Sequence, residues 1–337
     1  MPRDSQQQRI VIAGASSLLG GELKSLLEES RFAGWDLRLV DEDEAAGTLT
    51  EAGVEAALIQ RLDEDAFRGA RYAFLTGSRT FGKRCLSPAR GAGATIIDYS
   101  HATLANPDAT PWFPKIEALS RRGVAKNAQT FSVFSAGGTA VASLALGLRQ
   151  YGLRRLVVVL HQPVSEVGRR GIEELETQTS QLLSFQSIGS PVFGTQAAFN
   201  LLSNFGTESR LDLHGRLLEI RAEVSAAIGD AVEDAKISIN LIQAPAFYGT
   251  TFSACVNLDK EVDAATLAAA CREAGFTVAV SGDPPTSNVS VAGETTLQLA
   301  EPRQDSPQEG CWWIWGAGDN LRVPAWSGVK LADWLEG

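Results

Sequence analysis

Residues 9–29 read RIVIAGASSLLGGELKSLLEE. Ile10, Val11 and Ile12 have the β-branched character of a short buried strand. Gly14 and Gly20 bracket a turn, and Leu19, Leu23, Leu26 and Leu27 then recur at helical spacing. Ser16 or Ser17 supplies a hydroxyl to cap the helix. Such a strand–turn–helix points free backbone N–H groups and the positive end of the helix dipole at whatever lies above the turn, an arrangement suited to a pyrophosphate. A full dinucleotide fingerprint has glycine at the position where Ser17 stands. The stretch therefore opens a doubly wound domain, with or without a dinucleotide. The candidate binding groups are Gly14, Ser16, Ser17, Leu18, Leu19 and Gly20.

The strand Leu37–Val40 follows, then the acidic run Asp41-Glu42-Asp43-Glu44. An acid at Asp41, about 20 residues past the glycine turn, is placed to bond ribose hydroxyls and to repel a 2′-phosphate, so NAD is favoured over NADP if a cofactor binds. Solvated loop acids are the alternative for Glu42 and Glu44. Further strands are expected at Tyr72–Leu75 and Thr95–Ile97. Between them lies the loop Thr76-Gly77-Ser78-Arg79-Thr80, at the strand end where open α/β sheets bind ligands. Alternation of strands and helices to about residue 130 predicts a parallel sheet.

The rest of the chain has another grammar. Ser132–Gly138, SVFSAGG, is a second small-residue turn, opening a helix through Ala142, Leu144, Ala145 and Leu148 that Gly152 closes. A buried strand is expected at Leu156–Leu160, and helices at Gly171–Phe185 and about Leu211–Ile228. Ile237, Ile239 and Leu241 alternate, as do Phe252, Ala254, Val256 and Leu258, the pattern of half-buried antiparallel strands. Asp263 is placed to cap a helix ending near Gly275. Residues 281–310 read as a polar crossing connection with a strand near Asn288–Ala292. Five tryptophans, Trp312, Trp313, Trp315, Trp326 and Trp334, crowd the end of the chain, as core or subunit interface. No internal repeat is present.

The 337 residues correspond to about two domains. Apolar residues at 44% and charged residues at 21% are ordinary for a globular protein. A net charge of −10 argues against nucleic acid, whose phosphates require clustered cations. No apolar run reaches membrane-spanning length, and MPRDSQQQR lacks the apolar core of a signal peptide. Cys85, Cys255, Cys271 and Cys311 are widely spaced, as reduced cytoplasmic thiols rather than a disulfide frame or metal site. The Asn288-Val289-Ser290 sequon is then a chance match.

The order of motifs along nearly the whole chain resembles the aspartate-semialdehyde dehydrogenase family. The stretches that carry the resemblance are GASSLLGGEL, GATIIDYSHATLANPDATPWFP, HQPVSEVGRRGIEELETQT, AAFNLL, PPTSNVSVAG and GDNLRVPAWSGVKLADWL. The resemblance implies a Rossmann-type NAD(P)-binding domain from residues 1–132, completed by 316–337. It also implies an α+β catalytic and dimerisation domain, with a mainly antiparallel sheet, over 133–315. A homodimer is implied as well. Family chemistry uses a cysteine thiolate against a carbonyl carbon, a histidine for the protons, a nicotinamide for the hydride, and arginines for carboxylate and phosphate.

Here those groups are replaced. By the resemblance, Gly137 stands at the nucleophile, Thr250 at the base, Gln243 at a carboxylate-binding arginine and Leu104 at a phosphate-binding arginine. The arginine that holds a 2′-phosphate falls in Asp43-Glu44. Gln162 matches the family glutamine, and Asn200 matches its Phe-Asn pair. The pattern resembles the Usg-type divergent branch. Ser135 and Thr139 flank the lost cysteine but need an activating base. His161 precedes Gln162, while His101 and His214 lie elsewhere. Cys255 and Cys271 read as buried small side chains. The expectation is a dinucleotide-binding dimer with impaired catalysis. The alternatives are a hydride-transferring oxidoreductase on a small carbonyl substrate by another route, the family reaction itself, or a scaffold that binds no cofactor.

Overall fold

The computed structural model describes residues 8–52, 55–104, 106–120, 124–232, 235–305 and 310–337. The chain resolves into two compact units, one of residues 1–114, 123–134 and 324–337, the other of 115–122 and 135–323.

In the first unit, β1 (Arg9–Ala13), β2 (Asp36–Asp41), β3 (Tyr72–Leu75), β4 (Thr95–Asp98), β5 (Thr110–Trp112) and β6 (Thr130–Val133) form one sheet. With the short edge strand Gln60–Arg61, the order is 60–61, β2, β1, β3, β4, β6, β5. Every pairing is parallel. Parallel strands covered on both faces must be apolar throughout, and Ile10, Val11, Ile12, Ala13, Tyr72, Ala73, Phe74 and Leu75 are all buried. The helix α1 (Leu18–Glu28) follows β1 and α2 (Arg79–Gly91) follows β3. A separate hairpin pairs Leu49–Ala52 with Glu55–Leu58. The last helix, α7 (Arg322–Glu336), returns most of its length to this unit. There Trp112 Nε1 donates to the Ser327 carbonyl at 2.9 Å, and Tyr72 Oη donates to Glu336 at 2.7 Å.

The second unit opens with α3 (Ala136–Leu148), all of whose residues are buried. Its sheet contains β7 (Leu153–Gln162), β8 (Lys236–Gln243), β9 (Thr250–Leu258) and β10 (Cys311–Gly318). The order is β8, β7, β9, β10, and two short strands, Gln298–Leu299 and Thr277–Val278, continue it. The long pairings β7–β9 and β9–β10 are antiparallel, whereas β8 joins β7 in parallel. Helices α4 (Arg169–Leu183), α5 (Leu213–Ile228) and α6 (Ala264–Glu273) complete the unit. Asp263 caps α6 by accepting the Thr266 amide at 2.7 Å. Alternation buries Phe252, Ala254, Val256 and Leu258 on one face. The other face stays open: Trp313 is 42% exposed and Trp315 38%.

One expectation is corrected. Asn288–Ala292 is a turn, not a strand. Ser287 and Ser290 exchange side-chain-to-amide hydrogen bonds at 2.9 and 3.1 Å, and the Ala292 amide closes on the Val289 carbonyl at 3.3 Å. Such local bonds compete with a strand ladder. The tryptophans also divide. Trp312 is buried in the second unit, whereas Trp334 packs on Trp112 in the first, with ring centroids 5.4 Å apart. No helix of the described residues is long and apolar enough to cross a membrane.

Candidate functional site

The opening turn is built from its own backbone. Gly14 has φ +95, a left-handed conformation that favours glycine. A Cβ there would also overlap the backbone of Gly77, so the two strand-end loops touch. The Gly14 and Ala15 amides donate to the Val40 carbonyl at 2.8 and 3.3 Å. Ser17, not Ser16, is the cap: its Oγ accepts the Gly20 amide at 2.9 Å and donates to the Gly14 carbonyl at 2.7 Å. Its side chain is thereby folded under the turn. Asp41 is buried, and its two oxygens accept the Ser16 amide at 2.7 Å and the Glu42 amide at 2.8 Å. The amides of Leu18 and Leu19, the first two residues of α1, have no intrahelical acceptor.

The neighbouring loop is fixed in the same way. Thr76 Oγ1 donates to the Gly14 carbonyl at 2.9 Å. Ser78 caps α2 through the Phe81 amide at 3.1 Å, and its hydroxyl donates to Glu42 at 3.0 Å. The structure thus brings together Gly14, Ser16, Ser17, Asp41, Thr76, Gly77 and Ser78. Leu104 lies in the same unit, in a turn held by Asp98, whose two oxygens accept from Ser100 and Thr103.

In the second unit, Gly137, Gln162 and Thr250 line one small cavity, together with Ser135, Leu160 and Arg216. Its free volume is about 10 Å³, room for a single water. Gln162 ends β7 beside Gln243 at the end of β8, and the two are paired in register. Gln162 Nε2 donates to Gln243 Oε1 at 3.0 Å, and Gln243 Nε2 donates back to the Gln162 carbonyl at 2.9 Å. Gln243 Nε2 also donates to the Ala244 carbonyl at 3.1 Å, so the Gln243 amide is committed at both its oxygen and its nitrogen. Thr250 opens β9 after Gly249, whose amide donates to the buried Asn320 at 2.9 Å. A Cβ on Gly137 would lie 3.2 Å from a Leu160 methyl.

The strongest feature here was not expected from sequence. Ser135 caps α3, accepting the Gly138 amide at 3.1 Å. Glu223 of α5, fully buried, accepts the Ser135 amide at 3.0 Å and the Ser135 hydroxyl at 2.7 Å. A carboxylate therefore already occupies the positive end of α3. On the same helix, Arg216 bonds Glu219 at 3.2 Å and Glu166 at 3.3 Å. Burial works against its charge, but Glu166, Glu223 and Glu219 more than offset this and hold the guanidinium above its ordinary pKa. Arg216, Glu219 and Glu223 share a helix stripe with the apolar Leu213, Ile220 and Val224, but that spacing does not mark which acid turns inward.

The remaining candidates lie apart from this cavity. His161 faces Thr251, Nδ1 to Oγ1 3.4 Å, on the open side of the sheet, and burial lowers its pKa. Asn200 is exposed and donates to the Gln196 carbonyl at 3.1 Å. Thr139 Oγ1 is buried without a partner among the described residues. Among the described residues, no group of three His, Cys, Asp or Glu side chains converges as a metal site would.

Comparison with known proteins agrees with this architecture. A USG-1 protein homolog of Azotobacter vinelandii is 28% identical over 335 residues, covering 97% of each chain. An aspartate-semialdehyde dehydrogenase of Rickettsia bellii is 24% identical, covering 98% of each. The solved structure of a probable aspartate-semialdehyde dehydrogenase from Pseudomonas aeruginosa superposes with a TM-score of 0.84 at 25% identity, over 98% of this chain and 99% of that one. Residues 146–323 match the family model described as semialdehyde dehydrogenase, dimerisation domain. The chain belongs to the semialdehyde dehydrogenase family, whose dimerisation domain these residues form.

Proposed function

We propose that this protein is a catalytically impaired, homodimeric member of its family that keeps the scaffold and has lost the covalent chemistry. The observation that carries the reading is the small cavity of the second unit. Its walls at Gly137, Gln162 and Thr250 offer no thiol and no imidazole, and it has room for one water. Nucleophilic catalysis on a carbonyl needs an activated nucleophile and a base within hydrogen-bond reach. Two hydroxyl side chains line the cavity, Ser135 and Thr250, and that of Ser135 is engaged by Glu223 and the Gly138 amide. The paired glutamines and the ion-paired Arg216 leave no uncommitted cation for a carboxylate or phosphate in this wall. The matched dimerisation domain supports the homodimer. Composition supports a cytoplasmic location and a partner other than nucleic acid.

A second reading, a hydride-transferring oxidoreductase with a changed mechanism, is favoured by one feature. In the first unit the Leu18 and Leu19 amides have no intrahelical acceptor, and the serine of the turn before them bonds its own backbone. These amides, with Gly14 and the Thr76–Ser78 loop, would hold the pyrophosphate of a nicotinamide dinucleotide. That cofactor would supply or accept the hydride. Asp41 and the acids at Asp43-Glu44 favour NAD over NADP.

The test is phosphate-dependent oxidation of aspartate semialdehyde, followed by cofactor absorbance, in the wild type and in the Gly137→Cys/Thr250→His double variant. Both are expected to be inactive, because Gln243 and Leu104 stand where the arginines belong. Robust turnover by the double variant would overturn the reading of a site lost as a whole. Turnover by the wild type would overturn it outright.

A further inference from the structure

The open face of the second unit's sheet carries an imidazole with no carboxylate bonded to it. On β7, His161 shares that face with its register partners, Ile242 on β8 and Thr251 on β9. Its ring is half-buried, with Nδ1 3.4 Å from Thr251 Oγ1 and the ring centroid 6.1 Å from that of Trp315 on β10. Trp315 is itself fixed, its Nε1 donating to the Thr286 carbonyl at 2.9 Å. Burial lowers the His161 pKa, against a smaller opposing pull from the Thr251 backbone.

The charges of this face stand away from His161. Arg155 and Lys236, paired in register, lie at the other end of β7 and β8, about 20 Å along the strand. Asp305 is at that far end too, its carboxylate 3.7 Å from Cys311 Sγ, and Arg303 pairs with Trp313 next to it. From β9 the ionisable group is the Cys255 thiol, and from β10 the Cys311 thiol, which burial pushes up to about 12 and so keeps neutral. The loop 244–249, which joins β8 to β9 at the His161 end, brings the Tyr248 phenol and no carboxylate. The segment packed on Trp315 brings Asp283, which accepts the Val280 amide at 2.8 Å.

We propose that dimerisation through this face is proton-linked, with His161 as the group that must be neutral in the dimer. The inference rests on the homodimer proposed above, and the occupant of the face is a second copy, because these strands belong to the matched dimerisation domain. A two-fold contact lays the same face against itself. Whichever end of the partner's face covers His161, it brings no net negative charge, since Arg155, Lys236 and Arg303 outnumber Asp305. Contact removes the remaining water from the ring. A neutral imidazole tolerates that loss, whereas an imidazolium without an anion does not. The pKa therefore falls further on association. Above the pKa of the free subunit both states hold a neutral ring and the dimer is at full strength. As the pH falls through that value, the free subunit takes up a proton that the dimer refuses, and the dimer weakens. Each dimer contains two such rings, so the effect enters twice.

The experiment is analytical ultracentrifugation of the full chain over a dilution series, at about pH 7.5 and about pH 5.5, with the wild type beside His161→Gln and His161→Phe. Circular dichroism at each pH confirms that the chains are folded. The wild-type dissociation constant is expected to rise about tenfold more on acidification than that of either neutral variant. His161→Lys, charged at both pH values, should already be weakened at the higher one. A wild-type dimer that stays intact throughout the dilution at the lower pH, or whose constant shifts no more than those of the neutral variants, overturns the proton linkage and leaves the homodimer standing. A wild type that is monomeric at the higher pH overturns both. If one neutral variant fails to fold, the other carries the comparison.

Discussion

Two helix starts in this molecule are built to the same local plan and end in opposite states. At α1, Ser17 adopts φ −66, ψ 158 and accepts the amide three residues on. At α3, Ser135 adopts φ −61, ψ 162 and does the same. Each turn has an acid from another element beside it. Asp41 binds the Ser16 amide, one residue ahead of the cap, and its other oxygen accepts the Glu42 amide, so it makes no bond to the cap residue itself. Glu223 binds the cap residue itself, amide and hydroxyl together, and covers the end of α3. The serine decides that a helix begins; the reach of the acid decides whether the helix end remains available to a ligand.

The largest expected effect comes from the covering acid. Glu223→Gln keeps the shape, but it turns one acceptor into a donor facing Ser135 and removes a charge that supports Arg216. Loss of charged hydrogen bonds in a buried network costs about 2–4 kcal/mol. Urea denaturation should show it as a lowered midpoint with an unchanged slope. A change within error would mean that Glu223 does not hold this turn.

The next effect separates two adjacent glycines. A Cβ on Gly138 would overlap the Glu223 carboxylate, whereas one on Gly137 meets a flexible Leu160 methyl at 3.2 Å. Gly138→Ala should therefore cost about 1–3 kcal/mol through forced displacement. Gly137→Ala should stay within about 1 kcal/mol of neutral, since alanine also favours the helix. Thermal unfolding of the two variants side by side checks the ranking. Equal losses would mean that Glu223 yields easily, and the covered state of α3 would then be soft.

The sequence revealed the scaffold of both turns and only half of the difference between them. The strand at residues 10–12, the glycines and the leucine spacing predicted β1 and α1, because a covered parallel strand and an amphipathic helix leave strong periodic signals. The join of Gly137, Gln162 and Thr250 in one wall was legible only through family motifs, since these positions come from three distant stretches. Glu223 was missed because a helix pattern with Leu217 and Ile220 does not say which of its acids turns inward. The strand expected at Asn288–Ala292 failed for a related reason: Ser287 and Ser290 bond each other, and such local side-chain bonds compete with a strand ladder.

At α1 the expected effects shrink. Asp41→Asn retains one carbonyl acceptor and loses one of two charged bonds, to Ser16 or Glu42. A loss of about 1–2 kcal/mol is expected in the same urea assay. A loss as large as that of Glu223→Gln would erase the distinction between an acid that braces a turn and one that seals it.

The smallest change tests what the serine of α1 does. Ser17→Gly removes the cap hydroxyl, yet glycine is a tolerated N-cap, and the substitution costs only a few tenths of a kcal/mol by general experience. It also restores the residue type found in a full dinucleotide fingerprint. If the Ser17 side chain obstructed a pyrophosphate, its removal would raise the affinity for NAD more than about tenfold, or roughly 1.4 kcal/mol. The hydroxyl is instead drawn down onto the Gly14 carbonyl and the Gly20 amide, at 2.7 and 2.9 Å. The expected calorimetric result is therefore affinity unchanged within about twofold, whatever its wild-type value. A tenfold gain would identify the serine, rather than Asp41, as the residue that sets access to this turn.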